Sequence, residues 1–339
     1  MESGQKLPGK GVGTVTTQNG QYDVLIAGQG AAAFSAALYA ARYQVKAVVI
    51  GETFGGETAT GGLIENYPGY PEIDGFDLMM KFREQVDKYG VPVVDDKVVG
   101  ISQEGHCFDA TTALGESYRS SNVILAVGRE RRKLGLEHED EWTGRGVSFC
   151  STCDAPLHRG NVVAVVGGGN AAVEGALLLS KYAKQVYIIY RQEAFTRPEP
   201  ITLRQLESTA NIEPLLGNSV VELKGDDGLS RVVLEREHNG SRELDLNGLF
   251  IEIGADPRVE LPNRLGLALN DRDEVIVDKT LQTSVHGVYA AGDLTDASGY
   301  LKQTVTAAAQ GAIAATSVYA DLAEHPNTCH WHAKAVGAA

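Results

Sequence analysis

No stretch of this chain stays apolar for the roughly 18 residues that a membrane helix needs. No membrane partner is therefore expected. Basic residues are in deficit: 30 Lys and Arg stand against 44 Asp and Glu, a formal net charge of -14. That balance excludes nucleic acid and anionic surfaces as main partners. The segment from Met1 to Gly20 lacks the apolar core of a signal peptide. It reads as a flexible extension, and the chain as cytoplasmic. Cysteine is scarce: Cys107, Cys150, Cys153 and Cys329 are all there are. Two of them make one CxxC, with no second CxxC and no HxxxH to complete the four ligands of a structural zinc site. His330 and His332 flank Cys329 only in a terminal tail, so no metal site is expected. What remains for the CxxC is redox work. Two thiols at that spacing can close a disulfide and open it again.

What is abundant is glycine, with 39 residues gathered at strand-to-helix turns rather than in repeats. Tyr22 to Gly28 reads as a buried strand, Gly28-Gln-Gly30-Ala-Ala-Ala33 as a GxGxxA turn, and the apolar run to about Tyr43 as a helix. Val45 to Ile50 is the next strand. The glycines permit a tight turn and close approach of a pyrophosphate, which then faces a helix N-terminus. Glu52, 22 residues after Gly30, stands near where an acid would hold a ribose hydroxyl. The unit recurs 139 positions later. Val162 to Val166 is a strand, Gly167-Gly-Gly169-Asn-Ala-Ala172 the turn, Ala171 to Tyr182 a helix and Gln185 to Tyr190 a strand.

The second unit reads as inserted into the first. Val123 to Gly128 is a strand ending at a glycine linker, Leu249 to Gly254 the return linker, and Gly287 to Asp293 a late strand of the first unit. Thr304 to Leu322 is alanine-rich and helical. The expected fold is three-layer α/β with two nested Rossmann-like dinucleotide-binding domains. One comprises residues 1–128 and 254–339, the other residues 129–253 with the CxxC.

From Tyr22 to Ala323 the chain resembles the low-molecular-weight thioredoxin reductases, flavoproteins related to the glutathione-reductase-like enzymes. The motifs that carry the resemblance are the first glycine turn, Glu65-Asn66-Tyr-Pro-Gly69, Ala126-Val-Gly128, Cys150-Ser-Thr-Cys-Asp154, the second glycine turn and Ala291-Gly-Asp293. The resemblance implies that Gly28, Gly30 and Ala33 cradle the FAD pyrophosphate, with Gly128 and Gly292 in the adjoining motifs. It puts Asn66 near the isoalloxazine and Asp293 at the ribityl-phosphate region. Lys302, Gln303 and Thr304 are put at the pyrimidine edge of the flavin. It also implies a homodimer and a relay. In that relay FAD reduces the Cys150–Cys153 disulfide, with Cys153 on the flavin side. Cys150 attacks a thioredoxin-like protein disulfide, and Asp154 serves the departing thiolate as acid or base. The inserted domain would rotate between flavin and substrate about Gly128 and Gly254.

The second nucleotide site departs from the resemblance. The family carries His, two arginines and a further Arg after Phe, which grip the 2′-phosphate of NADPH. Here the stretch is Tyr190-Arg191-Gln192-Glu193-Ala194-Phe195-Thr196-Arg197. Glutamine has neither the charge nor the fork of arginine. Gly167, Gly169, Ala172, Arg191 and Arg197 remain as candidates for a nicotinamide nucleotide. Three outcomes stay open: NADPH held through Arg191 and Arg197, preference for NADH, or a donor such as ferredoxin. Impaired NADPH use is the expectation adopted. Trp331 in the tail has two readings, a ring folded over a flavin face of the neighbouring subunit or an unordered terminus. Two rival functions share the same residues. One is a dithiol oxidase passing electrons to oxygen, the other a non-enzymatic flavin redox sensor.

Overall fold

A computed structural model describes residues 18–60, 63–299 and 301–325. The N-terminal extension and the tail with Trp331 lie outside these residues. In chain order the first half runs β1 (Gln18–Ala27), α1 (Ala31–Arg42), β2 (Ala47–Gly51), α2 (Gly56–Thr60), β3 (Leu63–Ile64), β4 (Ile73–Asp74), α3 (Gly75–Asp87), β5 (Val93–Asp95), β6 (Val98–Glu104), β7 (Cys107–Thr112), β8 (Ser117–Leu125) and β9 (Arg129–Arg131). The middle runs β10 (Val147–Ser148), α4 (Ser151–Asp154), β11 (Val162–Val166), α5 (Asn170–Ser180), β12 (Gln185–Tyr190), α6 (Pro200–Ser208), β13 (Ile212–Leu216), β14 (Val220–Gly225), β15 (Leu229–His238), β16 (Ser241–Asp245) and β17 (Gly248–Ile251). The chain then returns through β18 (Ala255–Pro257), α7 (Glu260–Arg264), β19 (Val288–Ala290) and α8 (Thr304–Glu324).

Two parallel-centred sheets result. The first is ordered β5-β2-β1-β8-β7-β6, with β19 on the second half of β8. The second is ordered β10-β17-β11-β12-β13, all parallel. Val24 to Ala27 in β1 and Val163 to Val165 in β11 are wholly buried, as continuous apolar runs covered on both faces must be. A meander, β14-β15-β16, flanks the second sheet. The chain crosses between the sheets twice, at β9 and β18, and these two crossings pair antiparallel. The fold is α/β with two Rossmann-like units, as the glycine turns imply.

The alanine runs explain the first layer. α1 buries Ala31, Ala32, Ala33, Ala36, Ala37 and Ala40, and α8 lies directly on it. A Cβ on Gly311 of α8 would sit 2.0 Å from the Ala32 carbonyl oxygen, so the two backbones are nearly in contact. Small side chains permit that approach, and larger ones would push the helices apart. α8 starts on a capping box between Gln303 and Thr306, which fixes its N-terminus.

Candidate active site

The two glycine turns have the same build. Gly28 has φ +123°, and a Cβ there would lie 2.2 Å from the Ala126 carbonyl oxygen just beyond the end of β8. Gly167 has φ +144°, with the Glu252 carbonyl oxygen at 2.2 Å just beyond the end of β17. Each first glycine is thus required by the protein's own backbone. Each second glycine, Gly30 and Gly169, meets nothing within 4 Å. Both are N-caps in extended conformation without a side-chain cap, so the first-turn N–H groups of α1 and α5 have no side-chain partner there. That is the arrangement a pyrophosphate needs. Ala33 and Ala172 are wholly buried beneath the turns.

Around the first turn the remaining expected residues converge. Glu52 follows β2 and pairs with Lys97 and Arg258, each at 3.4 Å. Gly128 and Gly292 both have positive φ, and the Gly292 N–H donates to Gln310 Oε1 at 2.7 Å. The Asp293 carboxylate accepts no hydrogen bond among the described residues. Burial pushes its pKa up, against the pull of Lys302 and Arg129. Asn66 Nδ2 donates to Gln303 Oε1 at 3.2 Å, and Thr304 Oγ1 lies 3.0 Å from Thr58 Oγ1. Lys302 is already engaged by protein groups. Its ammonium pairs with buried Glu274 at 3.0 Å and donates to the Thr295 carbonyl. The open space at Gly30, the α1 N-terminus and the unpaired Asp293 fit FAD.

Cys150 and Cys153 form a disulfide, with Cα atoms 5.3 Å apart. Cys150 is the N-cap of α4, and its Sγ accepts the Cys153 N–H at 3.1 Å. After reduction the same N–H would favour a thiolate on Cys150. Cys150 is half-buried, with Sγ 3.3 Å from the Thr60 carbonyl oxygen of α2, whereas Cys153 is exposed. Behind the disulfide, Ser151 Oγ donates to Glu252 Oε1 at 3.1 Å. Gly175 of α5 makes that possible, since a Cβ there would lie 2.6 Å from Ser151 Oγ. Burial pushes the Glu252 carboxyl up, with Arg131 opposing. Arg131 of β9 in turn pairs with Glu57 of α2 at 2.8 Å. Asp154 is half-buried, and its charge acts on His158, whose pKa is lowered chiefly by burial.

The second turn is differently furnished. A Cβ on Gly168 would lie 2.3 Å from the Tyr190 ring, which stacks on Phe195 at 5.6 Å between centroids. Glu193 is held by Arg236 at 3.0 Å. Arg191 and Arg197 are exposed and form no ion pair among the described residues. Burial, together with the charges of Glu199 and Glu65, pushes the Glu174 carboxyl of α5 up.

The profile of pyridine nucleotide-disulphide oxidoreductases matches residues 22–311. The chain belongs to that family. It is 38% identical over 315 residues to a thioredoxin reductase of Mycolicibacterium smegmatis, across 91% of this chain and 99% of that one. It is 36% identical over 307 residues to a bifunctional thioredoxin reductase/thioredoxin of Mycobacterium leprae, of which it spans 66%. The crystal structure of Lactococcus lactis thioredoxin reductase (FR conformation) superposes with a TM-score of 0.84 at 33% identity, over 89% of this chain and 99% of that one. This pyridine nucleotide-disulphide oxidoreductase is accordingly a flavin-dependent enzyme of thioredoxin reductase type, and its family implies FAD and a nicotinamide cofactor.

For this oxidoreductase, Arg131, Glu57, Glu252 and Ser151 escaped the sequence reading. Arg131 sits in the run Arg129-Glu-Arg-Arg132 just after the glycine linker, and Glu252 is the one charge inside the apolar return linker. For Glu252, a charge directly after a wholly apolar strand was the available signal.

Proposed function

We propose that this oxidoreductase reduces a thioredoxin-like protein through Cys150 and Cys153, and that NADPH serves it poorly as donor, a protein such as reduced ferredoxin taking that place. The observation that carries the second half is Tyr190. Its ring packs on the middle glycine of the second turn, while the phosphate-gripping side is reduced to Arg191 and Arg197. The negative charges of Glu65 and Glu199 add to burial in raising the Glu174 carboxyl of α5, a poor setting for a polyphosphate.

FAD, when bound, supplies the two electrons that open the disulfide. The chain's own residues do the rest. One thiolate attacks the substrate disulfide, forming a mixed disulfide and releasing one substrate thiol. The second attacks the first, re-forms Cys150–Cys153 and expels the other substrate thiol. Two electrons and two protons leave with the product. We assign the attacking role to Cys150, in keeping with the N–H that Cys153 offers it, and the proton to Asp154. Residues 129–253 are taken to turn as one body about β9 and β18, where Gly128 and Gly254 hold positive φ. The working form proposed is a homodimer, checked by light scattering.

Anaerobic titration of the holoenzyme tests the donor. Flavin bleaching by reduced ferredoxin but only slowly by NADPH or NADH is expected. Rapid bleaching by stoichiometric NADPH would overturn this part and make Arg191 and Arg197 sufficient.

A further inference from the structure

We propose that His286, Asp321 and His325 form a binding site for one divalent transition-metal ion of the zinc class, remote from the disulfide and the glycine turns. Asp321 and His325 are four residues apart at the end of α8, so they share a helix face. His286 comes from the segment that leads into β19. Asp321 Oδ1 lies 3.1 Å from His286 Nε2 and 3.2 Å from His325 Nδ1. One ligand atom from each of the three lies within 4.8 Å of the others.

Ligand atoms at about 2.0–2.1 Å around a tetrahedral zinc are about 3.3 Å from each other. The two close pairs therefore need to move only slightly to share an ion. The side chains are also graded in exposure, Asp321 at 12% beneath His286 at 52% and His325 at 47%. The carboxylate is the deeper ligand and the imidazoles stand at the mouth, where an ion would enter and a water would fill the fourth position. Two imidazoles and one carboxylate select a borderline ion such as zinc over calcium or magnesium. The surroundings favour a cation. The C-terminal end of α8 carries its negative pole here. Asp321, Asp278 and Glu324 add to the effect of burial in pushing the Tyr289 phenol up. A bound ion would tie the end of α8 to the segment before β19, the same helix whose start carries Gln303 and Thr304. No motif betrays the site, because His286 is contributed by a different segment.

The test is calorimetric titration of zinc chloride into the EDTA-stripped, oxidised holoenzyme. With Cys150–Cys153 closed, no reduced thiolate of that pair competes. One ion per chain is expected. His286→Ala with His325→Ala should weaken binding by more than the roughly 10–100-fold that loss of an outer partner costs a metal site. Asp321→Asn should do the same, and it keeps the test open if the double variant fails to fold. No zinc uptake by the wild type would overturn the proposal. So would wild-type affinity in the folded double variant, which would give the ion to Cys329, His330 and His332.

Discussion

Alanine at Gly28 and alanine at Gly30 should have opposite consequences, although the glycines are two residues apart in one turn. Gly28 has φ +123°, and its Cβ would press on a backbone carbonyl at 2.2 Å. Strain of that kind costs about 1–3 kcal/mol. Overpacking against a neighbour that cannot yield adds about 1–3 kcal/mol. Gly28→Ala should therefore destabilise the apoprotein by about 2–6 kcal/mol. Gly30 has φ -85° and ψ -173°, which any residue adopts, and its Cβ would point into open space. Loss of unfolded-state freedom then offsets the poorer N-cap, so Gly30→Ala should change apoprotein stability by less than about 0.5 kcal/mol.

The same Cβ would stand where the FAD pyrophosphate approaches the α1 N-terminus. A clash of about 1–3 kcal/mol weakens FAD binding about 5- to 150-fold. Urea unfolding of the apoproteins followed by circular dichroism reads the first quantity. Titration of the apoproteins with FAD, followed by flavin fluorescence, reads the second. Wild-type FAD affinity in Gly30→Ala would refute the cradle assignment. Marked destabilisation of apo Gly30→Ala would refute the claim that this glycine serves the ligand alone.

Four further outcomes follow from the same geometry. Cys150→Ser should abolish reduction of a thioredoxin-like disulfide, whereas Cys153→Ser should trap a mixed disulfide visible by intact mass; the reverse pattern would exchange their roles. Glu274→Gln should cost on the order of 3 kcal/mol, because the carboxylate is buried among Arg129, Arg272 and Lys302. Burial raises its pKa, but the hydrogen bonds from Asn270 and Lys302 and the charges of Lys302 and Arg272 hold it below the ordinary value. Its stabilisation is therefore present above the ordinary carboxylate value and lost as pH falls through the lower folded value, so urea midpoints of wild type and variant should converge in acid. Glu252 has the opposite sign. Burial raises its pKa, so its contribution is full below the unfolded carboxylate range and fades as pH rises through the folded value. Glu252→Gln should flatten that slope. Gly311→Ala should lower the thermal midpoint and the FAD content together, since it forces α8 off α1.

Local signals were legible in the sequence and long-range pairings were not. Continuous apolar runs ending at Gly28 and Gly167 announced buried parallel strands, and the strands lie there. The alanine run after Thr304 announced a helix, and α8 spans Thr304–Glu324. The CxxC announced its disulfide. By contrast, Arg131 reaches Glu57 from a distant element, and nothing in either local pattern names the other. The same holds for Lys302, whose ammonium pairs with Glu274 from a segment 28 positions earlier. Charge partners are chosen by tertiary packing, so sequence shows the charge and not the partner.

The duplicated turns also show how one backbone serves two purposes. At the 139-position offset Gln29 matches Gly168 and Gly51 matches Tyr190. In the first unit the large side chain is in the turn. The Gln29 amide donates to the Gly51 and Val94 carbonyls and to Asp95, which ties β2 to β5. In the second unit the large side chain rises from the strand end, and the Tyr190 ring covers Gly168. The same volume is filled from opposite sides, leaving the first turn clear and the second roofed by an aromatic ring. If loss of phosphate contacts limits NADPH, restoring one should be measurable. Gln192→Arg adds a charge-assisted pair of about 1.5–3 kcal/mol, about 10- to 150-fold in affinity. Glu193 is already engaged by Arg236, so it does not cancel the new charge. Calorimetry should show tighter NADPH binding with NADH unchanged, because only NADPH carries the 2′-phosphate. No tightening of either would mean that the Tyr190 ring rather than the missing arginine closes this site, and equal tightening of both would mean that the new guanidinium does not read the 2′-phosphate.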